Sequence, residues 1–599
     1  MILLLKVGYL SLDKTQKFKY VVYTIMGAGL AVLELIGVGL SALIGVLLMS
    51  EFLEIKVPNL VSKVLEVLKF VNGDEFSRLF FLVFISLILL ILKSLLSLFL
   101  SKRLFKFLTQ IESNEIESIT KKIFDSHYEK ISRYPTYEIA DTLTRGLSAA
   151  ISNLLGQWQI VLSEIFLVLL IFSTLFYLNP IFSALVALYF MVVIYGINKP
   201  LHSKVDSTNR YLTRLRVNSV ETITNFLKLY REFKVYRRID FATKGISRVT
   251  TSFSNQYSRD MWMQMIPKYA LELVVFAGVL VILVIGNLFQ NGSDLIVIIF
   301  LFFAAGARLI PSIMRIQAAM YTLKGHEHLA KGFFEMRNFF SNYGIKVASL
   351  SENSKKSPEK MKEILFSKVV YSYPDSDFSC ELDFSVPLGD KIAIVGSSGA
   401  GKSTLADLIM GIVQPDSGEI LIAGVTLTEW LANSDSRIAY VPQETILIDG
   451  DVYDNIAIGV DRDLIDFDFA KELLADLGLN HLIHGDRSEM KGEVSDLSLS
   501  GGERQRIGIA RALYSRPIFI VMDESTSSLD ADSEQIVLDT LNGLGKSVTL
   551  LVIAHRLSSI RDFDTLIYLE SGQVSGIGSF DFLRSSIKQF DYQAGLLGL

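Results

Sequence analysis

Six long apolar stretches constrain the fold of this 599-residue chain more than any other feature. Each comes close to or exceeds the roughly 20 apolar residues that an α-helix needs to cross a bilayer. The mean hydropathy of +0.39 is too apolar for an ordinary soluble protein. We therefore predict six transmembrane helices, and not a large soluble protein with buried helices. The stretches are Tyr20–Ser50, Leu79–Leu100, Gly146–Leu178, Ile181–Asn198, Tyr269–Phe289 and Leu295–Met314.

Lysine and arginine are unevenly distributed over the connections between these stretches. The long connections 101–145 and 199–268 contain 8 and 14 of these residues, whereas 51–78 contains 4. Because cytoplasmic loops carry the excess of positive charge, we expect both long connections and both termini in the cytoplasm. The expected location is the inner (plasma) membrane, with several spans. Helical polar patterns extend the spans beyond the membrane and bend back at 132–138 and 230–238.

The rest of the chain divides into an external segment, a linker and a soluble part. Residues 59–71 have an amphipathic helical pattern, which predicts a helix on the outer membrane surface or one packed against the transmembrane bundle. The polar segment 341–362 is typical of a linker. We therefore predict a transmembrane domain over 1–340 and a soluble α/β domain over 363–599.

Charge and cysteine content exclude some classes of protein. The net charge of −5 argues against a nucleic-acid partner. Because Cys380 is the only cysteine, the chain has no intrachain disulfide, and we interpret this residue as a small core side chain. Residues 1–6 lack the pattern of a removable signal peptide.

The soluble part contains a glycine-rich turn between an apolar run, 391–395, and a helical pattern, 405–410. The spacing of its glycines and of Lys402 and Ser403 fits a phosphate-binding loop, where backbone N–H groups and a helix N-terminus surround a phosphate chain. We expect Lys402 to reach the β- and γ-phosphates and Ser403 to ligate Mg²⁺, which predicts a site for ATP or GTP. The predicted nucleotide contacts are Gly396, Ser397, Ser398, Gly399, Ala400, Gly401, Lys402, Ser403 and Thr404.

Two carboxylates, Asp523 and Glu524, follow a second apolar run, 518–522. A buried strand would bring both to the sheet edge that carries the phosphate-binding loop. We expect Asp523 to hold Mg²⁺ through water and Glu524 to polarise the attacking water.

Between these motifs, Leu499–Glu503 reads Leu-Ser-Gly-Gly-Glu and resembles the signature motif of ATP-binding cassette (ABC) proteins. Further motifs resemble the same family in the same order along the chain. The resemblance implies that Tyr373 stacks on adenine and that Gln443 contacts Mg²⁺ and senses the membrane domain. It also implies that 528–530 is the D-loop and that His555 contacts the γ-phosphate, although a structural role is the alternative for a single histidine.

In this family two cassettes meet head to tail, and the phosphate-binding loop of one faces the signature motif of the other. The resemblance therefore implies that Ser500, Gly501, Gly502 and Glu503 complete the site of a partner chain. One motif of each kind per chain implies a second copy of the protein as partner, with ATP and Mg²⁺ as cofactors.

Six stretches, a linker and one cassette resemble a half-size ABC exporter. Within that class the chain resembles the bacterial lipid-linked oligosaccharide flippases of protein N-glycosylation, on residues 267–272, residues 308–312 and the external segment. One stretch departs from the exporter pattern. Residues 492–496 read Gly-Glu-Val-Ser-Asp where exporters carry Gly-Glu-x-Gly, a stretch that couples the cassette to the opposite chain.

Charged residues occur deep inside the apolar stretches. Lys93, Glu164 and Arg308 each lie 14 residues from the outer end of their stretch, which places them roughly 21 Å below the outer surface. Charges at this depth usually pair or face a cavity. One alternative is a helix-aligning pair of Glu164 with Lys93 or Arg308. The other is a cationic cavity wall of Lys93, Arg308 and Arg315 that receives a pyrophosphate between lipid and sugar.

Three functions are open at this point. The first is an ATP-driven transporter that moves a lipid-linked oligosaccharide from the cytoplasmic to the outer leaflet. The second is an exporter of peptides, hydrophobic drugs or another amphipathic substrate. The third is an ATP-gated channel or regulator. The carboxylate of Glu524 favours an ATP hydrolase coupled to transport over mere gating.

Overall fold

The computed structural model describes residues 2–53, 75–178, 180–289, 292–341, 363–373, 378–432, 438–483, 499–524, 529–554 and 557–596. Two π-helical turns, Thr142–Gly146 and Ala149–Asn153, precede one of the long helices. The α-helices are α1 (Ile2–Ser11), α2 (Lys14–Leu53), α3 (Glu75–Phe124), α4 (Tyr128–Ile131), α5 (Thr136–Asp141), α6 (Leu154–Leu178), α7 (Pro180–Lys228), α8 (Tyr230–Val235), α9 (Ile239–Phe289), α10 (Gly292–Ser341), α11 (Lys402–Ile409), α12 (Leu427–Ala432), α13 (Val452–Ile456), α14 (Phe467–Asp476), α15 (Gly501–Tyr514), α16 (Ala531–Gly543), α17 (Phe580–Ser586) and α18 (Lys588–Leu596).

The chain divides into two compact units. The first comprises Met1–Ser126 and Arg133–Gly344, and the second comprises His127–Ser132 and Ile345–Leu599. The predicted boundaries at 340 and 363 stay a prediction, and nearly all of the predicted linker 341–362 lies outside the described residues. The predicted external helix 59–71 and the unusual stretch 492–496 also lie outside them.

Long helices build the first unit. Helices α2, α3, α7, α9 and α10 contain five of the predicted apolar stretches, and α6 together with the π-helical region before it covers the stretch Gly146–Leu178. Within the described part of the chain, three segments are long and apolar enough to cross a membrane: Lys14–Gly37, Phe80–Phe124 and Thr136–Tyr177. Helix α3 exposes large apolar side chains such as Phe84, Leu87 and Leu95. Such a surface suits a hydrocarbon environment, where helices satisfy their own backbone hydrogen bonds.

The core of this unit lies between the long helices. Leu271 of α9 and Leu309 of α10 are fully buried, together with Leu167 and Ile171 of α6. The helices are interrupted where the sequence predicts bends. Helix α3 ends at Phe124 and α5 begins at Thr136, while α7 ends at Lys228 and α9 begins at Ile239. Both predicted bends are therefore confirmed.

The described residues of the second unit form a ten-stranded mixed sheet in the order β5-β4-β1-β2-β10-β9-β3-β8-β7-β6. Strands β3, β8, β7 and the edge strand β6 run parallel. Strands β3, β7 and β8 bury both faces, which explains their continuous apolar sequences. The predicted fold, a helical transmembrane domain with an α/β phosphate-loop cassette, is confirmed. The strands are β1 (Glu363–Ser372), β2 (Ser379–Pro387), β3 (Lys391–Gly396), β4 (Ser417–Ile422), β5 (Val425–Thr426), β6 (Ile438–Val441), β7 (Phe519–Asp523), β8 (Thr549–Ile553), β9 (Thr565–Glu570) and β10 (Gln573–Gly578).

Candidate nucleotide site

The phosphate-binding loop joins β3 to α11 at the carboxyl edge of the parallel strands. Gly396, Gly399 and Gly401 have φ angles of +154°, +80° and +100°, which favour glycine. A Cβ atom on Gly396 would lie 2.3 Å from the carbonyl oxygen of Leu569. The loop therefore needs glycine here, both for its conformation and for its close approach to β9.

Lys402 lies at the first position of α11 and is only 7% exposed. Its Nζ donates hydrogen bonds to the carbonyl oxygens of Gly396 and Ser397, both at 3.0 Å. Burial lowers the pKa of Lys402, and the nearby Glu524 and Asp523 carboxylates oppose that shift. The loop thus wraps around a lysine side chain beside the N-terminus of a helix, an arrangement that suits phosphate.

A cavity of about 440 Å³ opens beside this loop. Its lining brings together eight predicted site residues from three separate parts of the chain: Tyr373, then Ser398, Gly399, Gly401, Lys402, Ser403 and Thr404, and finally Glu524. The Tyr373 hydroxyl lies 3.4 Å from Thr404 Oγ1. The cavity also contains Phe378, which the sequence analysis missed, although its position shortly after Tyr373 is a usable signal.

Two predicted catalytic residues are in direct contact. Gln443 donates through Nε2 to Oε2 of Glu524 at 2.8 Å. Glu524 follows the last residue of β7 and has a φ angle of +49°, which is uncommon for a residue with a Cβ atom. Its N–H donates to the carbonyl oxygen of Ile553 at 3.2 Å, and this bond fixes the turn.

Asp523 is the last residue of β7, beside Ile553 of β8. Burial and the charge of Asp523 raise the pKa of Asp407, on α11, to about 6. The sequence analysis missed Asp407. The predicted Mg²⁺ ligands Ser403, Gln443 and Asp523 offer hydroxyl, amide and carboxylate oxygens, the donor types that Mg²⁺ prefers. These residues therefore fit the ion chemically.

The signature motif begins helix α15. The Ser500 side chain accepts from the N–H of Glu503 at 3.2 Å, while the Ser500 N–H donates to Oε2 of Glu503 at 2.8 Å. This capping box satisfies donors at the helix N-terminus. His481, which sequence reasoning missed, lies 2.7 Å from Oε1 of Glu503. Hydrogen bonds from Ser500 lower the pKa of the Glu503 carboxyl.

Ser500, Gly501, Gly502 and Glu503 are not among the described residues that line the nucleotide cavity. One chain therefore brings the phosphate-binding loop, Tyr373, Gln443 and Glu524 together, but not the signature motif. Ser528, the first residue of the predicted D-loop, and the predicted γ-phosphate contact His555 both lie outside the described residues, so their roles stay predictions.

The deep membrane charges pair differently from the sequence prediction. Glu34 lies 2.7 Å from Lys93 and 3.2 Å from Arg308, whereas Glu164 accepts from Arg315 at 2.6 and 3.0 Å. The predicted pairs of Glu164 with Lys93 or Arg308 are therefore wrong. Sequence position gives the depth of a side chain along its helix, but the direction it faces depends on how the helices pack.

Comparison with known proteins identifies a family that part of the chain matches. Residues 380–527 match the ABC transporter family model. An ATP-dependent lipid A-core flippase of Cupriavidus metallidurans is 36% identical over 36% of this chain and 38% of its own length. A multidrug resistance ABC transporter ATP-binding and permease protein of Lactococcus lactis is also 36% identical, over 36% of this chain and 37% of its own. The chain thus spans less than two-fifths of the length of these relatives.

The structure of a bacterial Atm1-family ABC exporter with ATP bound is similar to the whole chain. The TM-score is 0.68 at 20% sequence identity, over 97% of this chain and 98% of the other. At this identity the likeness shows the fold. Residues 380–527 match the ABC transporter family, and the chain that carries them has the fold of an ABC exporter.

Proposed function

We propose that this protein hydrolyses ATP to drive export across a membrane. The observation that carries the proposal is the cavity in which the phosphate-binding loop, Lys402, Ser403 and Glu524 come together. Lys402 would bind the β- and γ-phosphates, and Tyr373 would stack on the adenine. Ser403, Gln443 and Asp523 would hold Mg²⁺, which neutralises charge on the phosphate oxygens when bound.

Glu524 is the proposed base that orients the attacking water. Its contact with the amide of Gln443 holds the carboxylate at the cavity. His555 is proposed as the further contact to the γ-phosphate. Because Gln443 contacts Glu524 directly, a displacement of Gln443 would change the geometry of the base.

The active unit is proposed to be a pair of identical chains. The signature residues Ser500, Gly501, Gly502 and Glu503 do not line the cavity among the described residues. A second copy would supply them to the γ-phosphate of the first. The capped N-terminus of α15 would donate backbone N–H groups there.

The proposed cargo is a lipid-linked oligosaccharide with a pyrophosphate, moved from the cytoplasmic to the outer leaflet. Lys93, Arg308 and Arg315 supply positive charge inside the membrane unit, and arginine binds phosphate oxygens through its planar fork. The lipid A-core flippase relative supports a lipid substrate. The alternative cargo, peptides or hydrophobic drugs, is supported by the multidrug resistance relative. Lysine and arginine in the long connections support an inner membrane location with cytoplasmic cassette and termini.

The test uses the purified protein in proteoliposomes, with ATPase activity measured against candidate ligands. A lipid-linked oligosaccharide should stimulate turnover more than peptides or hydrophobic drugs do. A leaflet-sidedness assay should then show ATP-dependent flipping, which Arg308→Ala or Arg315→Ala abolishes without loss of folding or basal ATPase activity. Unimpaired flipping by the folded double variant would contradict the pyrophosphate proposal. Slow switching between states without sustained turnover would favour the channel alternative.

A further inference from the structure

A polar cavity of about 230 Å³ lies inside the first unit, between helices α2, α3, α6 and α10. Its walls include both carboxylates and two of the three cations described above. The lining residues that carry the argument are Glu34, Lys93, Gln159, Ser163, Glu164 and Arg315. In an otherwise apolar stretch, ionisable residues usually mark a binding or transport site.

The two carboxylates neutralise most of the positive charge. Glu34, with 7% of its side chain exposed, contacts both Lys93 and Arg308, and Glu164, with 14% exposed, binds Arg315. The four charges that line the cavity cancel, and Arg308, which contacts Glu34 from outside the lining, leaves the cluster with one positive charge in excess. A region with this balance favours an anion over a cation, but its own carboxylates compete for the same donors.

Arg315 is the most accessible of these cations. Its Nε and Nη2 donate to the two oxygens of Glu164, and 44% of the side chain remains exposed. Phosphate oxygens have the same geometry as a carboxylate towards the guanidinium fork. An incoming phosphate would therefore take the donors that Glu164 now occupies.

Gln159 completes the arrangement. A Cβ atom on Gly27 would lie 2.3 Å from Gln159 Nε2, so the amide lies directly against the backbone of α2. Only glycine at position 27 leaves room for the amide in this position at the cavity wall. An amide there adds a neutral donor beside the cations.

We propose that this cavity binds the phosphate headgroup of an amphiphile by anion exchange, in which the phosphate displaces Glu164 from Arg315 and Glu34 from Lys93. The new element is the role of the carboxylates: Glu34 and Glu164 set the affinity by competing with the ligand. Gln159, for which Gly27 leaves room, is a further contact. This inference rests on the proposed function in one respect: export identifies the bound amphiphile as the transported cargo.

The sign of the carboxylate effect separates this role from a structural one. The probe is radiolabelled hexadecyl phosphate, bound to the full protein in nanodiscs of zwitterionic lipid and corrected for empty discs. Glu164→Gln should raise the affinity at least about fivefold, because a competing interaction is lost. Arg315→Gln should lower it at least about tenfold, because a charged partner is lost.

A second variant keeps the test informative should Glu164→Gln fail to fold. In Gly27→Ala the new methyl group meets the end of a flexible side chain, so the variant should fold with Gln159 displaced. Loss of one hydrogen bond should lower the affinity about threefold to tenfold. An unchanged affinity would remove Gln159 from the site.

The matched control is Glu115→Gln. Glu115 pairs with Arg337 at 3.2 Å in the same unit, with 20% and 23% of the two side chains exposed, and neither residue lines the cavity. This variant should leave the affinity unchanged. An equal change in Glu115→Gln, or a lower affinity in Glu164→Gln, would overturn the exchange proposal.

Ligand controls identify the class. Hexadecanol and hexadecyltrimethylammonium should bind at least about tenfold more weakly than hexadecyl phosphate, since they lack the anion. Equal binding of either would overturn the proposal, and competition by inorganic phosphate at the same concentration would overturn its amphiphile part. All binding is measured without nucleotide. A failure to bind the probe would therefore contradict this site but not ATP-driven export. Conversely, a protein without ATPase activity that still binds the probe would contradict ATP-driven export but not this site.

Discussion

Replacement of Glu524 by glutamine tests the chemistry of the nucleotide site. The substitution keeps the size of the side chain and its acceptor oxygen, so the hydrogen bond from Gln443, 2.8 Å in the wild type, can persist. The backbone turn at φ +49° is anchored through the N–H of Glu524 to Ile553, which the substitution does not change. We therefore expect normal folding and normal ATP binding.

The substitution should instead lower the rate of ATP hydrolysis. A positioned base contributes about 10²–10⁴-fold, which corresponds to roughly 2.7–5.5 kcal/mol of activation free energy. The assay is steady-state phosphate release by purified protein, with ATP binding measured separately. Asp407→Asn is the matched control, because it also replaces a carboxylate near Asp523 but lies outside the cavity lining. Turnover within a few-fold of wild type in folded Glu524→Gln would refute the assignment of Glu524 as the base.

Three other outcomes follow from the structure and sequence. Gly396→Ala should abolish ATP binding, because its Cβ would lie 2.3 Å from the Leu569 carbonyl oxygen; retained binding in a titration would contradict this loop geometry. Asp407→Asn should increase the free energy of unfolding at pH 7 by at most about 1 kcal/mol, after discounting for solvent screening, and should therefore raise the melting temperature. The pKa of Asp407 is raised from 3.8 to about 6 in the folded state. Its contribution to folding stability is therefore present at low pH and lost as the pH rises through 6. Thermal melts from pH 4 to 7 that do not differ between the two proteins would contradict this. Deletion of 59–71 should abolish translocation but preserve basal ATPase activity, whereas loss of both would indicate a packing role.

The nucleotide site could be predicted well from the sequence because its motifs act locally. The phosphate-binding loop needs glycine at fixed positions between a strand and a helix, so Gly396 and Lys402 are readable from spacing alone. Parallel strands end at one edge, which also explains why Glu524 reaches the loop. Gln443 was assigned by family resemblance, and the structure adds its direct contact with Glu524.

Contacts between distant elements were less predictable. The depth of Arg308 and Glu164 follows from residue counting, but the choice of Glu34 as partner depends on the rotation of α2 against α3 and α10. His481 lies in the short 3-10 turn Asn480–Leu482, and Phe378 immediately precedes β2, so neither residue belongs to a long periodic pattern. The contact of His481 with Glu503 becomes visible only when the neighbouring elements are in place.

The central claim is that two copies of the chain share each ATP site, and subunit mixing tests it most directly. Wild type is combined with an equal amount of a Ser500→Arg, Lys402→Ala double variant under conditions of subunit exchange. In a mixed dimer the wild-type loop faces the altered signature motif, and the altered loop faces the wild-type one.

The control is the single variant Lys402→Ala, whose mixed dimers keep one complete site. With equal amounts and random pairing, ATPase activity per wild-type chain should fall to about half with the double variant and stay unchanged with the single one. Activity per wild-type chain that stays constant in both mixtures, despite demonstrated subunit exchange, would contradict the shared site.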